Sequence, residues 1–336
     1  MDMRRFVIKT GITALVVLLI AIGLDVLITR NLHHSNARMF QTYNEIYFGK
    51  GDYDAIIMGS SRGQVQYSPA ILDSILDIDC YNISVDGRCI DAEIVMYHAY
   101  RHHKPKPKLI IQNIDWGALQ GSNMYEREQY LPYLYLDDLY EQTKESEQFS
   151  WTDRYLPLVR YAGYTEVIKE GLCLKNKLMK PVQYKGYVAH DEEWDGSTFN
   201  NITTIHFDWK PEVVEMFDKY LAQCKEEGIL VVMVFAPIYI GVTEKMDSVQ
   251  SMFGFYQFYA DKYGFPILNY TYDSLCYDTN YFYNATHLNR QGAELFSAKL
   301  AMDIKELLLA GTINQTLYSL NDDASLEESV VISLDI

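Results

Sequence analysis

Four short stretches carry residues able to do covalent chemistry together. The first is Met58-Gly59-Ser60-Ser61-Arg62-Gly63-Gln64, in which a serine on a glycine-containing turn would present its hydroxyl. The second is Asn82-Ile83-Ser84-Val85-Asp86-Gly87, the third Asn113-Ile114-Asp115-Trp116, and the fourth Asn284-Ala285-Thr286-His287. A serine hydroxyl becomes a nucleophile when a histidine takes its proton, and the oxyanion that follows needs donors already aimed at it. Taken singly, each stretch has a plain structural reading. Gly59-Ser60-Ser61 reads as a turn with an N-capping serine, His287 as a capping or core histidine, and Asn82 and Asn113 as caps. Order and placement are what join them.

Those stretches must be held by elements, and the chain supplies a regular set. Strands are predicted at Tyr53–Met58, Cys80–Ser84, Lys108–Gln112, Gly228–Phe235 and Pro266–Asn269. Helices are predicted at Pro69–Leu76, Ile90–Arg101, Pro211–Glu227, Thr243–Tyr263 and Arg290–Leu309. Strand–helix–strand alternation predicts a three-layer α/β/α sandwich with a mainly parallel sheet. In such sheets ligands bind outside the carboxyl ends of the strands, where three of the four stretches fall. The middle of the chain, about 120–205, is Tyr-rich and loses the rhythm, and is read as an insertion over the sheet. The organisation expected is an anchor at 1–32, one domain at 33–310 and an acidic tail at 311–336.

The set of stretches resembles the SGNH (GDSL-like) hydrolase family over roughly Tyr53 to Leu309, the middle insertion excepted. Within that family it is similar to membrane-anchored G-S-S-R members of bacterial envelopes, which move or remove acyl groups on cell-surface polymers. The resemblance implies Ser61 as nucleophile, with Ser60 where the name-giving Asp usually stands, and His287 as general base. It implies Gly87 and Asn113 as oxyanion donors, although the usual Gly-x-Asn-Asp is not present around Asn113. It departs at Asn284, which holds the place of the Asp in the family's Asp-x-x-His block. Three readings follow: a Ser–His dyad with a neutral orienter, another acid (Asp278 or Asp273) standing in, or a binding cleft with little turnover. Arg62 reads either as a holder of a substrate carboxylate or phosphate, or as a surface arginine in an ion pair. Asp115 and Trp116 read as cleft residues, Trp116 offering a sugar-stacking face or else a core tryptophan.

The activity implied is that of an esterase or O-acyltransferase acting on ester-linked acyl groups of envelope glycans, through an acyl-enzyme and with no cofactor or metal. Acyl transfer would also imply a multi-spanning partner that exports acyl groups. A different class, a catalytically weak or inactive polysaccharide-binding or assembly factor, stays open. So does an unrelated flavodoxin-like ligand binder, which would keep Ser61 and His287 far apart.

Composition bounds these readings. In 336 residues, 45 acidic against 29 basic side chains leave a formal charge of −16, which argues against a nucleic-acid partner. Five scattered cysteines with no C-x-x-C pair argue against structural zinc and a disulfide scaffold; only Cys80 and Cys89 are close enough in sequence to suggest one bridge. Phe6 to Ile28 is an apolar run long enough to cross a bilayer, flanked by Arg4, Arg5 and Lys9. No small-x-small cleavage site follows it. The expectation is a single-pass cell-membrane anchor with the bulk of the chain outside the cytoplasm.

Overall fold

The computed structural model describes residues 3–121, 127–144, 148–173, 184–196, 204–247 and 249–309. The acidic tail expected at 311–336 lies outside the described residues. In chain order the elements are α1 (Met3–Leu32), α2 (Arg38–Phe48), β1 (Ala55–Met58), α3 (Ser61–Gln66), α4 (Pro69–Leu76), β2 (Cys80–Asn82), α5 (Ile90–His103) and β3 (Leu109–Asn113). Then come α6 (Asp137–Thr143), α7 (Trp151–Tyr155), α8 (Thr165–Leu172), α9 (Pro211–Glu226), β4 (Leu230–Phe235) and α10 (Ile240–Thr243). The chain closes with α11 (Val249–Tyr263), β5 (Ile267–Asn269), β6 (Phe282–Asn284), β7 (His287–Leu288) and α12 (Arg290–Leu309).

The sheet is parallel throughout, in the order β2-β1-β3-β4-β5. β1 and β3 are buried at every position, as an apolar run covered on both faces requires. Ile56 pairs with Ile110, and Ile111 with Val232, so the branched side chains stack in layers. Helices α3, α4 and α12 pack together, while α5, α9 and α11 form the other layer with α2 beside α5. The three-layer α/β/α sandwich is therefore the fold. β1 and β3 are neighbours whose following connections run to opposite sides, which makes their carboxyl ends the topological switch point.

α12 earns its place by its pattern: Ala293, Phe296, Leu300, Ala301 and Ile304 are buried at three- and four-residue intervals. Ser297 on the same face accepts the Ser68 N–H at 2.8 Å, tying α12 to the start of α4. The helix predicted at Thr243–Tyr263 begins only at Val249, as α11, the short helix α10 before it ending at Thr243. Around Asn284 the chain forms a small antiparallel hairpin, β6–β7, with Asn284 opposite His287. Cys80 and Cys89 are free thiols, as are the other three cysteines.

Packing also redirects the reading of the Tyr-rich middle. Its described parts between 127 and 172 lie against α1, α2 and α5 rather than over the sheet. Tyr130 and Tyr133 pack their rings against Tyr43 of α2, and all three are fully buried. Many of the chain's tyrosines are thus core residues. α1 is long and apolar enough to cross a membrane. Its side chains are largely exposed up to Leu24, and from Asp25 onward one face is buried in the domain.

Candidate active site

Ser61 stands at the first turn of α3, immediately beyond β1. The turn between them is tight against β3: a Cβ on Gly59 would lie 2.8 Å from the Asn113 Cβ and 3.1 Å from the Gly63 Cα. Gly63 in turn lets α3 settle onto the loop after β2, where an added Cβ would meet Ser84 Oγ at 2.5 Å. The two glycines press the Ser61 turn onto the switch point. The β6–β7 hairpin approaches from the other side and is fixed by α12, whose Gly292 leaves no room for a Cβ beside the Tyr281 carbonyl.

The hairpin brings His287 to Ser61. His287 Nε2 lies 2.8 Å from Ser61 Oγ, and His287 Nδ1 lies 2.9 Å from Asn284 Oδ1. The flavodoxin-like reading that kept the two side chains apart is therefore set aside. The Thr286 backbone N–H also points at the Asn284 side chain, at 3.0 Å. A backbone N–H can only donate, so the Asn284 atom facing it is the carbonyl oxygen. That same oxygen faces Nδ1, which must then carry its proton. Nε2 is left with its lone pair toward the Ser61 hydroxyl, the tautomer a general base requires. Thr286 Oγ, 3.0 Å from Nδ1, adds a second oxygen at that nitrogen. The Tyr283 ring stacks on the imidazole, with centroids 5.4 Å apart. The acids weighed as stand-ins are engaged elsewhere. Asp273 accepts from Leu275 N–H and pairs with Lys299, and Asp278 accepts from Asn280 N–H.

Ser61 and His287 open onto a cavity of about 220 Å³, whose walls include Gly87, Arg88, Trp116 and Thr286. Gly87 is exposed and sits at φ +71, a left-handed turn that suits glycine. Asn113 is placed differently. It is buried behind the cavity wall, its Oδ1 accepting from the Tyr67 hydroxyl at 2.8 Å and its side chain hydrogen-bonding the Asp115 carboxyl.

Arg62 also reaches the cavity, yet it is only 1 % exposed, so the surface reading fails. Its guanidinium lies 4.6 Å from the Phe235 ring centroid and 5.3 Å from that of Trp116. It donates to the Ala236 carbonyl and stands 3.1 Å from the Asp115 carboxylate. Burial raises the Asp115 carboxyl above its ordinary range, and the Arg62 charge opposes that rise. Arg62 and Asp115 thus pair with one another beside Ser61, instead of presenting free charges to a ligand. Trp116 is half-buried, one face covered by Arg62 and an edge on the cavity.

Two site residues escaped the sequence reading. Arg88 is buried at the cavity wall, over the Tyr130 ring and donating to Gln129 Oε1 at 2.9 Å. Thr286 supplies the N–H that orients Asn284. Both were adjacent to residues already singled out, and adjacency was the one signal available.

Comparison with protein-family models and with curated proteins finds no match. Among solved structures, the chain is similar to a Bacteroides fragilis protein provisionally named an acylhydrolase, at 15 % identity and a TM-score of 0.31. The alignment covers 78 % of this chain and 87 % of that one. A likeness this distant carries no functional argument, and the site's geometry must carry it alone.

Proposed function

We propose that the chain is a membrane-anchored, extracytoplasmic serine enzyme of SGNH type. It would act on ester-linked acyl groups of cell-envelope glycans, as esterase or O-acyltransferase. The observation that supports it is the hydrogen-bonded run Ser61 Oγ–His287 Nε2 and His287 Nδ1–Asn284 Oδ1 at the sheet's switch point. In this reading Ser61 Oγ attacks the ester carbonyl while its proton passes to His287 Nε2. The tetrahedral oxyanion is received by the N–H groups of Ser61 and Gly87, while Asn113, expected as a further donor, stays buried behind the cavity wall. Collapse expels the alcohol, which takes the proton back from Nε2, and leaves an acyl group on Ser61. Water or a glycan hydroxyl then gives its proton to Nε2 and attacks the acyl carbon, releasing either the free acid or a new ester. Trp116 offers an apolar edge to a sugar ring. Transfer would need an acyl donor at the outer face, and hence a multi-spanning export partner.

A second reading, a polysaccharide-binding or assembly factor with little turnover, draws on Asn284, because an amide carries no charge to stabilise the imidazolium. A fluorophosphonate probe on the purified full chain separates the two. Wild type is expected to label, while Ser61→Ala abolishes labelling and His287→Ala cuts it at least a hundredfold. A folded wild-type chain that stays unlabelled overturns the enzyme reading and favours the second.

A further inference from the structure

This inference rests on reading α1 as a membrane-spanning helix. The apolar surface of α1 does not stop where the domain begins. Asp25 is buried by the domain, yet Leu24, Val26 and Leu27 beside it remain 39 %, 58 % and 46 % exposed. The part of the domain that grips α1 here is the segment following α7. The Asp25 carboxylate accepts from the Arg160 guanidinium and from the Leu158 N–H at 2.9 Å, and Thr29 Oγ bonds the Tyr161 hydroxyl at 2.7 Å. At about 1.5 Å of rise per residue, these contacts lie within ~6 Å, along the axis, of the last exposed apolar side chains of α1.

α7 and the residues directly after it leave large aromatic and aliphatic side chains exposed. Trp151, Tyr155, Leu156 and Val159 are 61 %, 63 %, 42 % and 37 % exposed, although the domain has a large core in which to bury them. Trp and Tyr are the residues enriched where a protein meets the boundary between hydrocarbon and headgroups. A helix leaving the bilayer at Leu27 carries its attached neighbours to that depth. Continuity with the exposed apolar surface of α1 therefore names the occupant as lipid.

We propose that Trp151–Tyr161 is a second membrane-contacting element, seated in the headgroup layer of the bilayer that α1 crosses. Trp151, Tyr155, Leu156 and Val159 enter it. The domain is then attached at two points, and its tilt against the membrane is set.

The test uses the full chain, with the exposed Cys173 replaced by Ser, in vesicles of phosphatidylcholine and phosphatidylglycerol. An environment-sensitive nitrobenzoxadiazole label is placed at Tyr155→Cys or, separately, at Val159→Cys. A third label at Phe258→Cys, 61 % exposed on α11, serves as the comparison. Lipids bearing a doxyl quencher near the headgroup should quench the labels at 155 and 159 at least twofold more than that at 258. Alkaline carbonate extraction of the same vesicles reports on α1 independently. A chain that stays in the vesicles while 155 and 159 quench no more than 258 overturns the seat and leaves the anchor standing. A chain that is extracted overturns both.

Discussion

Asn284 shows how a single atom's orientation decides what a site can do. Where an Asp of a serine protease is replaced by Asn, about 10⁴ in kcat is lost because the histidine takes the wrong tautomer. Here the Thr286 N–H turns the amide oxygen toward Nδ1, so the tautomer is right and only the charge is missing. Asn284→Asp is accordingly expected to raise the rate of fluorophosphonate labelling roughly ten- to a hundredfold, a smaller gain than that full penalty. A rate that falls would show that the neutral orienter is required. Glu93 offers a separate check on burial. Its carboxyl is pushed up to about 8 by burial, with the Gln112 side chain hydrogen-bonded to it at 2.8 Å. Its folded value lies above the unfolded one, so the stability it contributes is full below about pH 4.3 and is lost as pH rises through about 8. Glu93→Gln should match wild type near pH 4 and exceed it by ~2 kcal/mol or more above pH 8. Denaturant unfolding across that range measures it, and parallel curves would refute the assignment. Ser61, His287 and Asn284 were readable from residue type and spacing. The burial of Arg62 was not, because it requires Asp115, Trp116 and Phe235 to converge from two different strand ends.

At the scale of elements, the strands were readable because each is a short apolar run between turn-forming residues, and α4 and α12 begin and end where their patterns do. The β6–β7 hairpin was not. Strands of three and two residues with half-polar sequences carry no measurable alternation, so the register that pairs Asn284 with His287 exists only in the folded chain. Between α7 and α8 the chain turns at Leu158, which adopts φ +66 and directs its N–H at Asp25. Close approach of elements also has a testable site. Gly59→Ala would force the Ser61 turn away from β3, and should destabilise the chain by ~1–3 kcal/mol. Probe labelling should fall with it; a variant with wild-type stability and labelling would mean the turn has slack that the contact distances deny.

For the whole molecule, the boundary expected at residue 32 divides a working unit. Ile28 and Leu32 are part of the main core, and Asp25 is the partner of the buried Arg160. A chain beginning near Gly23 should keep its cooperative unfolding transition. One beginning at His33 should lose ~1.5–3 kcal/mol for each of the two apolar side chains. Leaving Arg160 buried without its counter-charge adds ~3–5 kcal/mol. Comparing the two transitions by calorimetry tests this, and equal midpoints would show that α1 is dispensable to the fold. Because α1 runs into the domain without a linker, a domain held in a membrane by that helix, as proposed, would have no tether on which to sweep through volume. On the proposed function, its encounters with a surface-bound polymer would be a search in two dimensions, governed by lateral diffusion, and turnover would follow the density of acceptor per unit of membrane area rather than its bulk concentration.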